Sequence, residues 1–335
     1  MDLKIKYNYQ DFLFISSRVR AMETALFKNE TFTALAEARS VHELYSILED
    51  NGLSSENGRF GEKSFEKGLK ELLDVAYLDV LAGVSAPELF TVFTYPYDCI
   101  NLKTALKCAE NGRDADGLLL PYGTVSPETV TEAVLKRSFN AFPSNMAQAA
   151  EKAIGEFAKT RNPQVIDLML DRALYLDMAA SVSENPVEFF RRLLEIKADT
   201  VNILTAIRII KMNGSASLFE SAYAQGGTLT LSVFTDAFEN GMEVVIDALK
   251  GGRYEKLIDS LSGSEINLTE AERVADKIYF DFIKTAKDIQ SGAEVVAAYI
   301  AATEAQVKNI RILIAGKKLS VKPEALFERL SESYV

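Results

Sequence analysis

Three stretches far apart in the chain carry one pattern: Asp98-x-x-Asn101-Leu102 with Leu106, Asp199-x-x-Asn202-Ile203 with Ile207, and Gln306-x-x-Asn309-Ile310 with Ile314. The asparagines lie 101 and then 107 residues apart. Within each copy, steps of three and four put these positions on one face of a helix. Two other landmarks keep the same phase. Tyr77-Leu78-Asp79, Tyr175-Leu176-Asp177 and Tyr279-Phe280-Asp281 are spaced by 98 and 104 residues. Gly123-Thr124-Val125-Ser126 with Thr131-Glu132-Ala133-Val134 aligns without a gap, 104 residues on, to Gly227-Thr228-Leu229-Thr230 with Thr235-Asp236-Ala237-Phe238. A period this long exceeds the roughly 20–50 residues of solenoid modules. It predicts three homologous helical domains, 1–117, 118–214 and 215–335, in a pseudo-threefold arrangement.

The helical period runs through the whole chain. Tyr9, Phe12, Ile15, Val19, Met22 and Leu26 mark one face of a first helix. Ser40 with Glu43 reads as a capping box before the stripe Leu44, Ile47 and Leu48. A long helix is expected over 62–82, a capped connector at Ser85–Glu88, and a signature helix from about Pro96 to Glu110, ended by Asn111-Gly112. The second round predicts helices from Pro127 to about Arg137, 144–159 and 163–182. A short connector at Pro186 and the signature helix Ile196–Lys211, stopped at Asn213-Gly214, complete it. The third predicts short helices between 231 and 261, a long one capped by Thr269 with Glu272, a signature helix 293–315 stopped at Gly316, and a last helix near Pro323. Gly227-Thr-Leu-Thr-Leu, the nearest thing to a strand, reads as a helix lead-in. The class is all-α. Each domain would contain a hairpin that sets Tyr-x-Asp against Asp-x-x-Asn, with the asparagine tying a partner across the seam.

Chemistry-bearing patterns are sparse. His42, the single histidine, stands at a helix start with no nucleophile motif beside it. There is no G-x-x-x-x-G-K-[ST], H-E-x-x-H, paired C-x-x-C or EF-hand loop, so nothing predicts a cofactor, a metal or a catalytic residue. Gly226-Gly227-Thr228 and Gly251-Gly252-Arg253 read as turns. Cys99 and Cys108 sit nine residues apart on one predicted helix, hence on opposite faces, and cannot pair. Glu49-Asp50 and Asp114/Asp116 read as solvated acids. Asp167 and Asp171, one helical turn apart, are the one hint of a metal-dependent enzyme, and no second cluster accompanies them. The net charge of −11 disfavours nucleic acid and anionic lipid as partners. The acidity lies in the first and third sectors, while a basic group near the end, Lys308, Arg311, Lys317, Lys318 and Lys322, is a partner-contact candidate. The first ten residues lack the apolar core of a signal peptide, and no apolar stretch approaches the ~20 residues of a membrane span. A cytoplasmic protein, held at any membrane by other proteins, is the expectation.

The order of motifs resembles one family across essentially the whole chain. Tyr9…Arg18-Val19-Arg20-Ala21-Met22, Lys197-Ala198-Asp199-Thr200-Val201-Asn202 and Glu304-x-x-Val307-Lys308-Asn309-Ile310-Arg311 are similar to the C subunit of archaeal and bacterial V/A-type ATPases, a relative of the vacuolar d subunit. Two departures are Gln306, where an acid is expected, and Leu48–Leu53, which lacks an aromatic. The resemblance implies a funnel-shaped, non-catalytic adapter in the central stalk of a rotary ATPase. Such a protein would socket the shaft subunits onto the membrane proteolipid ring and transmit torque for proton or sodium transport. An all-helical scaffold of some other assembly is the alternative.

Overall fold

The computed structural model describes residues 7–53, 62–261 and 267–335. Those residues contain helices and connecting turns and no strand. In chain order the helices are α1 (Leu13–Glu23), α2 (Asn29–Glu37), α3 (Val41–Asp50), α4 (Glu62–Asp74), α5 (Thr91–Glu110), α6 (Pro127–Lys136), α7 (Ser144–Thr160) and α8 (Gln164–Glu184). There follow α9 (Glu188–Lys211), α10 (Ala216–Ala222), α11 (Leu231–Asn240), α12 (Glu243–Leu249), α13 (Glu255–Leu261), α14 (Leu268–Lys284), α15 (Ala293–Lys318) and α16 (Pro323–Phe327). The described residues pack into two compact units, one of residues 7 and 88–261 and one of residues 8–53, 62–87 and 267–335. These follow packing rather than sequence period, and the expected boundaries after 117 and 214 both fall inside the first.

In that first unit α8 packs against α7 on one side and α5 on the other, with α9 and α10 alongside. Phe90 and Phe190 meet edge to face at 5.1 Å, the offset geometry that the ring quadrupole favours. The second unit is organised around α15, which touches α1, α2, α3, α4, α14 and α16. Val295 to Thr303 is buried without a break, because a helix apolar on every side must be wrapped on every side. Gly316 lies inside α15 and does not stop it: a Cβ there would stand 2.2 Å from Leu326 Cδ2, so the glycine lets α16 close on the helix. The turn that ends α15 comes later, at Ser320, with φ of 55°.

Several expected boundaries shift for identifiable reasons. The first signature helix starts at Thr91 and runs through Pro96, although proline leaves the Val92 carbonyl without its helical donor. Burial of Val92 and Phe93 offsets that loss. The expected connector at Pro186 is no separate helix, since α9 is continuous from Glu188. After α4 the expected long helix widens into a π-helical turn over Val75–Val80 and tightens to 3₁₀ at Leu81–Gly83. Asn267 caps α14, accepting from the N–H groups of Thr269 and Glu270, so Thr269 and Glu272 form no capping box. The left-handed residue after α9 is Asn213, and after α5 it is Gly112 as expected. At α3 Ser40 accepts from Glu43 N–H at 3.1 Å, while the Glu43 carboxylate turns to the N–H of Arg39.

Ser40→Ala removes that N-cap acceptor. We expect a loss of about 1 kcal/mol, read as a lower urea midpoint at unchanged slope.

Candidate functional site

The three signature asparagines are fully buried and do the same thing. Asn101 accepts from Leu120 N–H at 2.8 Å and donates to Leu120 C=O at 2.7 Å. Asn202 pairs in the same two-sided way with Ala224, at 2.8 Å each way. Asn309 pairs with Ser331, at 2.9 and 2.7 Å. Each amide thus stands in for a peptide group and holds one residue 19 or 22 positions further on. Aspartate has no N–H to give the carbonyl, and leucine has neither function. The partner in each case is a backbone peptide group. That partner, however, lies in the segment after the helix, not across a hairpin.

Beside each asparagine a second clamp receives a loop. Asp98 Oδ1 accepts from Val125 N–H at 2.9 Å and Oδ2 from the Thr124 hydroxyl at 2.6 Å. Asp199 accepts from Leu229 N–H at 3.1 Å, the Thr228 hydroxyl at 2.6 Å and the Tyr254 phenol at 2.7 Å. Gly123 and Gly227 explain the rest of the motif: a Cβ on either would lie 2.1 or 2.2 Å from the carboxylate oxygen. The two landmarks found separately in the sequence, Asp-x-x-Asn and Gly-Thr, are halves of one contact. In the third copy Gln306 Oε1 accepts from Phe27 N–H at 2.7 Å. A neutral amide suits a site where the donor is a peptide N–H.

Sequence reasoning missed Phe27. Its signal was present, since 27, 125 and 229 are spaced by 98 and 104, the spacing of the Tyr-x-Asp markers. Without the Gly-Thr pair the position had nothing to announce it. Phe27 also precedes α2 as Val125 precedes α6 and Leu229 precedes α11, and Phe32, Val130 and Phe234 on those helices are all buried. Each signature helix therefore holds the segment ahead of a shorter helix: α5 that before α6, α9 that before α11, and α15 that before α2. The segment after α16 reinforces this last contact, with the Ser333 hydroxyl donating to Phe27 C=O at 2.5 Å.

Among the Tyr-x-Asp markers, Tyr77 donates to Glu304 on α15 at 2.7 Å, and α8, which carries Tyr175, packs more extensively on α5 than on α9. The expected facing of the two motifs within one hairpin is thus replaced, in these two cases, by facing the signature helix of the preceding copy. The aspartates diverge in role. Asp79 pairs with Arg18 at the surface, and the guanidinium lowers its carboxyl pKa. Asp177 caps α7 by accepting from the N–H groups of Asn145 and Met146 at 3.0 and 2.8 Å. Asp281 lies 3.5 Å from Lys277. Burial holds the phenols of Tyr175 and Tyr279 well above their usual range.

Other candidates resolve into structure. Asp167 and Asp171 form ion pairs with Lys107 and Lys103 of α5, which neutralises the pair that hinted at a metal. Among the described residues no group of three or more His, Cys, Asp or Glu could hold a metal ion. Cys99 is buried, and burial pushes its thiol up to about 12. Cys99 and Cys108 are both free thiols. Asp114 accepts from Asp116 N–H in a tight turn, and His42 is exposed at the start of α3. In the basic group, Lys308 pairs with Asp276 at 2.7 Å and Arg311 with Glu66 at 2.9 Å. Lys317 and Lys318 end α15, and Lys322 precedes α16.

Asn202→Leu strands the peptide N–H and C=O of buried Ala224 at about 1–3 kcal/mol each, partly offset by the added apolar volume. A net loss of about 2–4 kcal/mol in urea unfolding is expected. Burial pushes the Asp98 carboxyl above its ordinary value, against the opposing hydrogen bonds from Thr124 and Val125. A carboxyl raised on folding binds more protons folded than unfolded, so its contribution is fullest below the unfolded pKa and declines as pH rises through the folded one. Asp98→Asn keeps the acceptor for Val125 and removes the titration. Its stability relative to wild type should therefore rise as the pH increases above about 4; a flat difference in urea unfolding would contradict this.

Comparison with known proteins agrees with the resemblance seen in the motifs. The model of the ATP synthase (C/AC39) subunit family matches residues 15–329. The C subunit of the V-type sodium ATPase of Enterococcus hirae is 24% identical over 319 residues, covering 94% of this chain and 97% of that protein. The C subunits of the A-type ATP synthases of Haloquadratum walsbyi and Methanocaldococcus jannaschii are each 22% identical, covering 93% and 96% of this chain and 96% and 87% of their own lengths. With buried polar motifs that serve the fold and a family match along nearly its whole length, the chain belongs to the ATP synthase (C/AC39) subunit family.

Proposed function

We propose that this chain is the non-catalytic central-stalk adapter of a rotary V/A-type ATPase, socketing the shaft subunits onto the membrane proteolipid ring and passing torque between them. The observation that carries the reading is the closed series of clamps. Asp98, Asp199 and Gln306 each bind the loop ahead of a helix in another copy, and the third returns to the first. A coupler needs stiffness more than chemistry, and here the buried polar groups of the repeat serve to hold copy to copy. We infer three homologous domains, 1–117, 118–214 and 215–335, arranged with pseudo-threefold symmetry around a funnel.

Among the described residues no helix is long and apolar enough to cross a membrane. Attachment at the cytoplasmic face would then come through the ring. Torque transfer calls for many distributed contacts, so no single side chain should dominate the interfaces. Lys317, Lys318 and Lys322 are candidates for such contacts, with Lys308 and Arg311 partly committed to internal ion pairs.

The test is reconstitution of the complex with and without this chain. Omitting it should leave ATP hydrolysis by the catalytic head and abolish ATP-driven ion transport, and adding it back should restore transport. A head, shaft and ring assembly that pumps protons or sodium ions without this chain would overturn the proposal.

A further inference from the structure

Outside the clamps, the first unit carries a groove of about 380 Å³ between α7 and α8, bordered by Ser221 of α10. Its α8 wall is a regular stripe: Val165, Leu168, Met169, Arg172 and Leu176 fall at steps of three, one, three and four. That is the spacing of a helix face made to receive another helix. Val165, Leu168, Met169 and Leu176 are all partly exposed, so the stripe is only half covered by its own chain. From Val165 to Leu176 it runs about 16 Å, or three turns.

The charge at the groove is the second observation. The chain holds 48 acidic residues against 37 basic, yet no lining residue is acidic and two are cationic, Lys152 and Arg172. Register places them opposite one another. Asn145 on α7 is bonded to Asp177 on α8, Lys152 lies seven residues from Asn145, and Arg172 lies five residues back from Asp177. Along antiparallel helices both therefore stand roughly 7–10 Å from that bond. Among the described residues neither makes an ion pair or hydrogen bond with the rest of the chain, unlike Lys103 and Lys107 on α5. Two unneutralised cations facing each other over an apolar trough repel one another until something anionic lies between them.

We propose that this groove docks an amphipathic helix of another subunit of the ATPase. The helix would present about three turns of apolar side chains to the α8 stripe and carry Asp or Glu at the level of Lys152 and Arg172. The inference rests on the chain's place in the multisubunit complex and is independent of the adapter role.

The experiment places a photo-crosslinking benzoylphenylalanine at Leu168 in the assembled complex, with Leu135, exposed on α6, as the control position. Leu168 should crosslink to a helical stretch of another subunit with a carboxylate within one turn of the linked residue. The Lys152→Glu, Arg172→Glu double variant should lower that yield about tenfold, as should the neutral pair of serines in lesser degree, with the urea midpoint unchanged because neither side chain is bonded within the fold. Assembly of the complex with no crosslink from Leu168, with a crosslink to a second copy of this chain or to a segment without carboxylates, or with an unchanged yield on charge reversal would overturn the inference alone. Failure of the unmodified chain to join the complex would remove the family-based assignment to the ATPase and the inference together, and purification distinguishes that case before any crosslink is read.

Discussion

A single asparagine amide, closed on both polar atoms of one residue's backbone, is the contact from which the rest of this structure takes its register. It occurs three times, at Asn101, Asn202 and Asn309. Each time it fixes the segment that follows a signature helix at a chosen height on that helix. The net gain from exchanging water for protein partners is modest, about 1 kcal/mol per hydrogen bond. The consequence of losing a partner is larger, since a buried peptide group would be left bare. Such an interaction selects among packings more than it deepens any one of them. It explains why a polar side chain recurs at a position that packing alone would give to leucine.

The aspartate clamps build on this register. Once the asparagine has placed the segment after the helix, the Gly-Thr loop arrives against Asp98 or Asp199 with its hydroxyl and N–H already aimed. Glycine is required because the carboxylate occupies the space of a Cβ. Burying a carboxylate opposes its ionisation, and the raised Asp98 carboxyl shows that the donors do not fully offset the burial. At Gln306 an uncharged acceptor avoids that cost. Surface ion pairs such as Lys136 with Glu132 contribute little beside these buried contacts, because water and salt screen them.

Interleaving follows from the same geometry. The Tyr77 helix packs on α15 and the Tyr175 helix on α5, so packing units and sequence repeats do not coincide. Contacts such as these, between positions far apart in the chain, resist separation of the segments they join. That property suits a part proposed to carry torque. The α7–α8 groove differs in kind, since its half-covered stripe and unpaired cations have no counterpart among the clamps.

The helical class, the period near 100 residues, the positions of the signature residues and the kinship with the ATPase family were legible in the chain itself. Period and pattern are local properties, carried by spacing along one helix. Caps were legible at Ser40 and less so at Asn267 and Gly316, where neighbouring residues of the right type competed and packing chose among them. The partners of the motifs were not legible. Asp98 and Thr124, or Gln306 and Phe27, are joined by tertiary approach over 26 and 279 residues, and no local signal encodes which loop meets which helix. By itself the sequence determined which residues recur, at a period near 100, because spacing along a helix is a local property. Only the tertiary structure decided that Asp98, Asp199 and Gln306 hold the segments before α6, α11 and α2, because a hydrogen bond depends on where atoms meet and not on their order in the chain.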